Sequence, residues 1–184
     1  MIIKIPTLYK LYSFKEKLFT TLKIDKPVKF LISLGFTPNL ITCFSVLIGF
    51  MSILFLFKNQ TLFVILYVTN RLLDVLDGYM ARRFNLKTDI GDKLDHLGDL
   101  AIHIGLLIKT IFFSNLSLLA TIALFTYIGE YILLKKENML HKKFPSGMFA
   151  HIFIFGFYKF GLIYQIFYQI FSYTYFQLRL KSNK

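Results

Sequence analysis

Long apolar runs separated by short charged bursts set the pattern of this chain, and the runs are the length of membrane spans. Within residues 1–30, Leu8, Leu11, Tyr12, Leu18, Phe19 and Leu22 recur at helical spacing among Lys10, Lys15, Lys17 and Lys23. This predicts an amphipathic helix lying on a membrane surface, as a juxtamembrane segment distinct from residues 31–184. Four apolar stretches then follow, at about Thr37–Phe57, Leu62–Phe84, Asp92–Phe113 and Leu116–Leu134. The first opens on Thr37-Pro38-Asn39, a helix-start pattern. Residues 148–178 form one further run of 31, interrupted by Lys159 and Gly161. As a helix it would extend about 46 Å, too long for one comfortable crossing and tight for two. Charge placement favours two. The expected fold is therefore all-α: six transmembrane helices after an N-terminal surface helix.

That charge argument is simple. With six spans, one side of the membrane receives 18 of the 22 Lys and Arg, leaving only Lys58, Arg71, Lys109 and Lys159 elsewhere. The basic excess marks the cytoplasmic side, so the N-terminus and the link carrying Arg82 and Arg83 are expected there. Seven Lys among the first 30 residues, with few small residues, do not resemble a cleaved signal peptide. Of the 184 residues, 55% are hydrophobic and 18% aromatic, and the net charge is +12. Mean hydropathy is +0.57. These values exclude a disordered polymer, a collagen and a disulfide-stapled module. Cys43 is the only cysteine, so no intramolecular bridge forms, and no Cys/His set has zinc spacing. Basicity alone would admit nucleic acid as a partner. Basic bursts alternating with apolar spans point instead to an anionic lipid surface, and no nucleic-acid partner is expected.

Six of the ten acidic residues lie between Asp74 and Asp99. Asp74 and Asp77 stand at i,i+3, and Asp95 and Asp99 at i,i+4, so each pair projects from one helix face. The polar link at residues 85–92 is short, which makes the two helices antiparallel neighbours and lets the pairs converge. Each Asp costs about 2.5–3.5 kcal/mol at mid-bilayer, and four cost on the order of 10–14 kcal/mol at full depth. A position nearer the interface lowers that figure, yet it still calls for an offset. Oxygen ligands with no Cys and no paired His select a hard cation, Mg²⁺ or Mn²⁺. Four carboxylates match two divalent ions, the usual device for displacement at phosphorus. Asp89 and Asp92, in the link, are expected to be solvated or to sit at a helix N-terminus.

The motif reads Asp74-x-x-Asp77-Gly78-x-x-Ala81-Arg82, then eight residues, Gly91, three, Asp95, three, Asp99. It resembles the signature of the CDP-alcohol phosphotransferase (phosphatidyltransferase) family, class I, with every fixed position filled. Eight fixed letters at ordinary usage match a given start by chance about once in several billion. The resemblance implies one metal on Asp74, Asp77 and Asp95 and a second on Asp74, Asp95 and Asp99. It also implies Asp99 as the base for the acceptor hydroxyl, and CDP-alcohol contacts at Gly78, Arg82, Thr88, Asn39 and Thr42. It further implies transfer of a substituted phosphoryl group from a CDP-alcohol, such as CDP-diacylglycerol, to an acceptor alcohol, with CMP released. The product is a phospholipid, and relatives are homodimers.

The acceptor is not readable. Asp95-His96-Leu97-Gly98-Asp99 has the Asp-His-x-x-Asp form of choline- and ethanolaminephosphotransferases, in a much shorter chain. His96 either reaches the acceptor or packs at a helix interface. The Pro-Ser-x-x-Gly-Lys of several relatives is replaced at Pro145-Ser146-Gly147-Met148, which lacks the lysine. Lys142 and Lys143 are either acceptor-phosphate ligands or lipid anchors. Intramembrane acids also mark ion pathways, so a metal or ion transporter is the alternative reading. It predicts acids spread over several spans, with broken helices.

Overall fold

The computed structural model describes residues 24–136 and 152–182, with side chains within 24–132 and 152–174. Among them all regular structure is helical: α1 (Asp25–Ser33), α2 (Pro38–Phe55), α3 (Gln60–Arg83), α4 (Asp89–Phe113), α5 (Ser117–Lys136) and α6 (Tyr158–Ser182). Residues 152–154 are also helical. Thr37 caps α2, its Oγ1 accepting from the Leu40 amide at 3.3 Å, and Pro38 fills the first helical position. Asn59 caps α3 in the same way, accepting from the Leu62 amide at 3.1 Å.

Helices α2 to α5 coincide with the first four apolar stretches to within three residues at either end, though only two of them meet the length and hydropathy of a span. The run at 148–178 differs. Its break falls at Gly156, in the left-handed region at φ +74°, while Lys159 and Gly161 lie within the first turn of α6. A glycine there can take the backbone conformation that Lys159 cannot, so the run gives one 25-residue helix after the break. A sixth long helix is not among the described residues. Leu8–Leu22, His141, Lys142, Lys143, Pro145-Ser146-Gly147 and His151 all fall outside them. Helix α1 runs past residue 30, where the juxtamembrane segment was expected to end.

Packing follows chain order, α2 against α3 and α4, then α4 against α5 and α5 against α6. The α2–α4 approach is close because glycines face side chains across it. A Cβ on Gly98 would strike the Val46 methyl, and one on Gly105 would meet Ile53 at 2.6 Å. Phe63, Tyr67, Ile102, Leu106, Tyr127 and Leu162 form the main core. The polarity of the bundle is inverted relative to a soluble one. Asn70, Asp77, His103, Glu130, Gln165 and Gln169 are buried, while Phe44, Leu47, Leu72, Phe112, Phe125 and Phe171 face outward. Helices α2 and α4 are long and apolar enough to cross a membrane, with mean hydropathies of 1.9 and 1.4.

Candidate active site

The turn between α3 and α4 brings the aspartates together. Asn85 takes a left-handed conformation, φ +55°, just past the end of α3, and the Leu86 amide bonds back to the Ala81 carbonyl at 3.0 Å. That is a helix-ending motif with Asn in the usual glycine position. Two residues on, the Thr88 hydroxyl accepts from the Gly91 amide at 3.0 Å and starts α4. The chain therefore reverses within five residues, and the acidic faces of α3 and α4 meet.

Carboxylate oxygens of Asp74, Asp95 and Asp99 all lie within 4.8 Å of one another. Opposite ligands of an octahedral Mg²⁺ stand about 4.2 Å apart, so this all-oxygen set fits a hard divalent ion after a small contraction. Asp77 is not in that group. It is buried, and its Oδ2 accepts from the Thr42 hydroxyl at 2.5 Å. The same hydroxyl lies 3.0 Å from the Pro38 carbonyl, which fixes the threonine on the opening turn of α2.

Beside the cluster lies a cavity of about 390 Å³ lined by Pro38, Asn39, Thr42, Asp77, Gly78, Ala81, Arg82, Leu86, Lys87, Thr88, Gly91, Asp92 and Asp95. All five residues expected to meet the CDP-alcohol (Asn39, Thr42, Gly78, Arg82 and Thr88) are on that wall, with Asp77 and Asp95. Neither Asn39 nor Thr42 caps α2, since Thr37 takes that role. Asn39 instead accepts from the Thr88 hydroxyl at 3.1 Å, which closes the start of α2 onto the start of α4. Gly91 permits this closure, since a Cβ there would overlap the Asn39 side chain. At Gly78 a Cβ would stand 3.0 Å from the Arg82 guanidinium, so the arginine lies flat along the glycine.

Asp89 and Asp92 occupy the first turn of α4, as expected of helix-terminal acids. Asp92 also lines the cavity and pairs with Lys87 at 2.8 Å. His96 stacks on Tyr131, ring centroids 6.2 Å apart, at the α4–α5 contact and away from the cavity wall. Between α1 and the end of α3, Asp25 receives Arg83 at 3.1 Å and the Tyr79 hydroxyl. The Arg83 guanidinium, then Tyr79, holds the Asp25 carboxyl below the usual carboxylate range.

Sequence reasoning passed over Arg71. Its Nη2 donates to Asp99 Oδ1 at 2.6 Å, and its Nη1 stands 4.0 Å from Asp74 Oδ2. The signal was present: an arginine inside an apolar span, three residues before an aspartate, needs a buried partner.

Among the described residues, then, an all-helical bundle of inverted polarity carries an oxygen cluster beside a cavity that Arg82 lines. The chain belongs to the CDP-alcohol phosphatidyltransferase family, whose sequence model matches residues 36–178. It is similar to a protein of Drosophila melanogaster named CDP-diacylglycerol--inositol 3-phosphatidyltransferase, 37% identical over 78 residues, which is 42% of this chain and 35% of that one. An uncharacterized protein of Aquifex aeolicus (strain VF5) is 40% identical over 77 residues, 41% of this chain and 39% of its own length. The chain thus spans less than two-fifths of the length of either relative. No solved structure matches it.

Proposed function

We propose that this protein transfers a phosphatidyl, or another substituted phosphoryl, group from a CDP-alcohol to an acceptor alcohol at a membrane, releasing CMP. One observation carries the reading. The five expected CDP-alcohol contacts share a single cavity wall with Asp77 and Asp95, next to the Asp74–Asp95–Asp99 cluster. Four acids converge from two consecutive helices at one end of the bundle, while the buried Glu130 of α5 pairs with Ser172 of α6, and this convergence favours a phosphate site over an ion pathway.

Asp74, Asp77 and Asp95 would hold one divalent ion, Mg²⁺ or Mn²⁺, and Asp74, Asp95 and Asp99 a second. The metal, when bound, neutralises diphosphate charge and stabilises the leaving CMP. Arg82 offers a fork of donors to the diphosphate, and Gly78 leaves room for it. Asn39, Thr42 and Thr88 form the polar wall for the cytidine end. Asp99 takes the proton of the acceptor hydroxyl as its oxygen attacks the β-phosphorus, and the bond to the CMP oxygen breaks. The apolar exterior of α2 to α6 supports burial in the bilayer, where lipid chains of donor and product can stay.

The test is CMP release from CDP-diacylglycerol by the purified full chain with a panel of alcohols. Inositol heads the panel because the Drosophila relative is named for it. Release should need one of the alcohols and Mg²⁺ or Mn²⁺, and should stop in excess chelator. Undiminished release in chelator sinks the metal-dependent reading.

A further inference from the structure

Arg71 is a cation built into the carboxylate cluster itself. Besides its contacts with Asp99 and Asp74, its Nε donates to Asn70 Oδ1 at 2.8 Å. Asn70 cannot turn away, because its Nδ2 donates to the Ser45 carbonyl at 2.8 Å and lies 2.9 Å from the Ser45 hydroxyl. The guanidinium also lies over the Tyr67 ring, 5.6 Å from its centroid. Three neighbours therefore aim this charge at Asp99.

Formal charge then counts ions. Asp74, Asp95 and Asp99 carry −3, and Arg71 brings the cluster to −2, which one divalent ion neutralises. Asp77 and Arg82, both on the cavity wall, offset one another. A second divalent ion would leave a net positive centre beside the Arg71 guanidinium, which repels it at close range until further negative charge arrives. The diphosphate of a CDP-alcohol supplies that charge.

We propose that Arg71 stands in for the second divalent ion on the Asp74–Asp99 side of the cluster. On its own the protein then binds one ion, and a second enters only with a nucleoside diphosphate. Arg71 is here a positioning residue that sets the order of loading, and the inference rests on the metal-dependent reading above.

Free Mn²⁺, followed by electron paramagnetic resonance as the purified full chain in detergent is titrated, tests it without reference to turnover. The wild-type protein should bind one Mn²⁺ alone and two in the presence of CDP, after correction for Mn²⁺ held by CDP in solution. Arg71→Gln should bind two without CDP and hold the first about tenfold more tightly or better, since a neighbouring like charge is gone. Arg71→Lys, which keeps the charge, should retain the wild-type count. A purely structural arginine would leave affinity unchanged or weaken it on removal. Asp95→Asn separates the two ideas. If Mn²⁺ binding survives that change, the ion is not on the carboxylates and both readings fall. If binding needs Asp95 but wild type takes two ions without CDP, or Arg71→Gln shows no gain, only the role of Arg71 is overturned. The wild-type count decides the matter even if Arg71→Gln does not fold.

Discussion

At the scale of single residues, the site depends on groups that hold the carboxylates as much as on the carboxylates. Thr42 donates to Asp77 from a different helix, so Thr42→Val removes the side-chain donor of a buried carboxylate. Loss of such an outer partner weakens metal affinity by about 10–100-fold, and Thr42→Val should weaken Mn²⁺ binding in that range in the absence of nucleotide. Thr42→Ser should restore it. Wild-type Mn²⁺ affinity in Thr42→Val would separate Asp77 from the ions. Asp99→Asn probes the reaction itself. The amide keeps the shape but accepts no proton, so turnover should fall by about 10²–10⁴-fold while CDP-alcohol affinity changes little. Asp89→Asn, exposed at the start of α4, should leave turnover within a few-fold. Equal losses in both variants would remove Asp99 from the role of base. That Asp74, Asp95 and Asp99 converge was legible because helical spacing acts on the sequence directly, whereas the turn of Asp77 toward Thr42 of another helix was not. Arg71 was not singled out, since its partner Asp99 is 28 positions away and only folding brings the two together.

Between elements, what matters is how close α2 and α4 come. Gly98 belongs to the stretch that also carries Asp95 and Asp99, and its missing side chain lets Val46 of α2 lie against the α4 backbone. Gly98→Ala inserts a methyl where the Val46 side chain already sits, which should cost about 1–3 kcal/mol of stability as overpacking. Val46→Ala in the same chain should recover most of the loss, and thermal unfolding in detergent reads both. If Val46→Ala adds a second loss instead, the contact is not what limits the approach. The starts and ends of α2 to α5 could be read, to within three residues, from Thr37-Pro38, the polar link and the lengths of the apolar runs. The last apolar run was divided at the wrong residues, because Lys159 and Gly161 look like interruptions in one dimension. The helix continues through both, with Gly161 buried and Lys159 exposed at its start, and only Gly156 has a backbone conformation that stops it.

For the whole molecule, the described contacts already divide the helix ends into two sides. Gln60 donates to the Phe153 and Ile154 carbonyls at 3.0 Å, and Phe57 packs edge-on to Tyr158, so the α2–α3 turn and the start of α6 share one side. Thr126 meets Gln169 at 2.5 Å and Ser172 meets Glu130 at 2.6 Å, which makes α5 and α6 parallel, both running away from that side. The start of α2, the α3–α4 turn and the ends of α5 and α6 lie on the opposite side, with the cavity. Lys26, Lys29, Arg82, Arg83, Lys87, Lys93, Lys135, Lys136, Arg179 and Lys181 belong to the cavity side, against Lys58, Lys109 and Lys159 on the other. A basic excess of that size predicts that the cavity faces the cytoplasm. Replacing Cys43, which is exposed on α2, by Ser gives a background for single cysteines probed with a membrane-impermeant maleimide. Lys58→Cys, Asn115→Cys and Lys159→Cys should react in intact cells, whereas Asp89→Cys and Lys181→Cys should react only after permeabilisation. Labelling of Asp89→Cys from outside would invert the orientation and deny the site a cytosolic nucleotide. Labelling of Lys159→Cys and Lys181→Cys from the same side would mean that α6 does not cross.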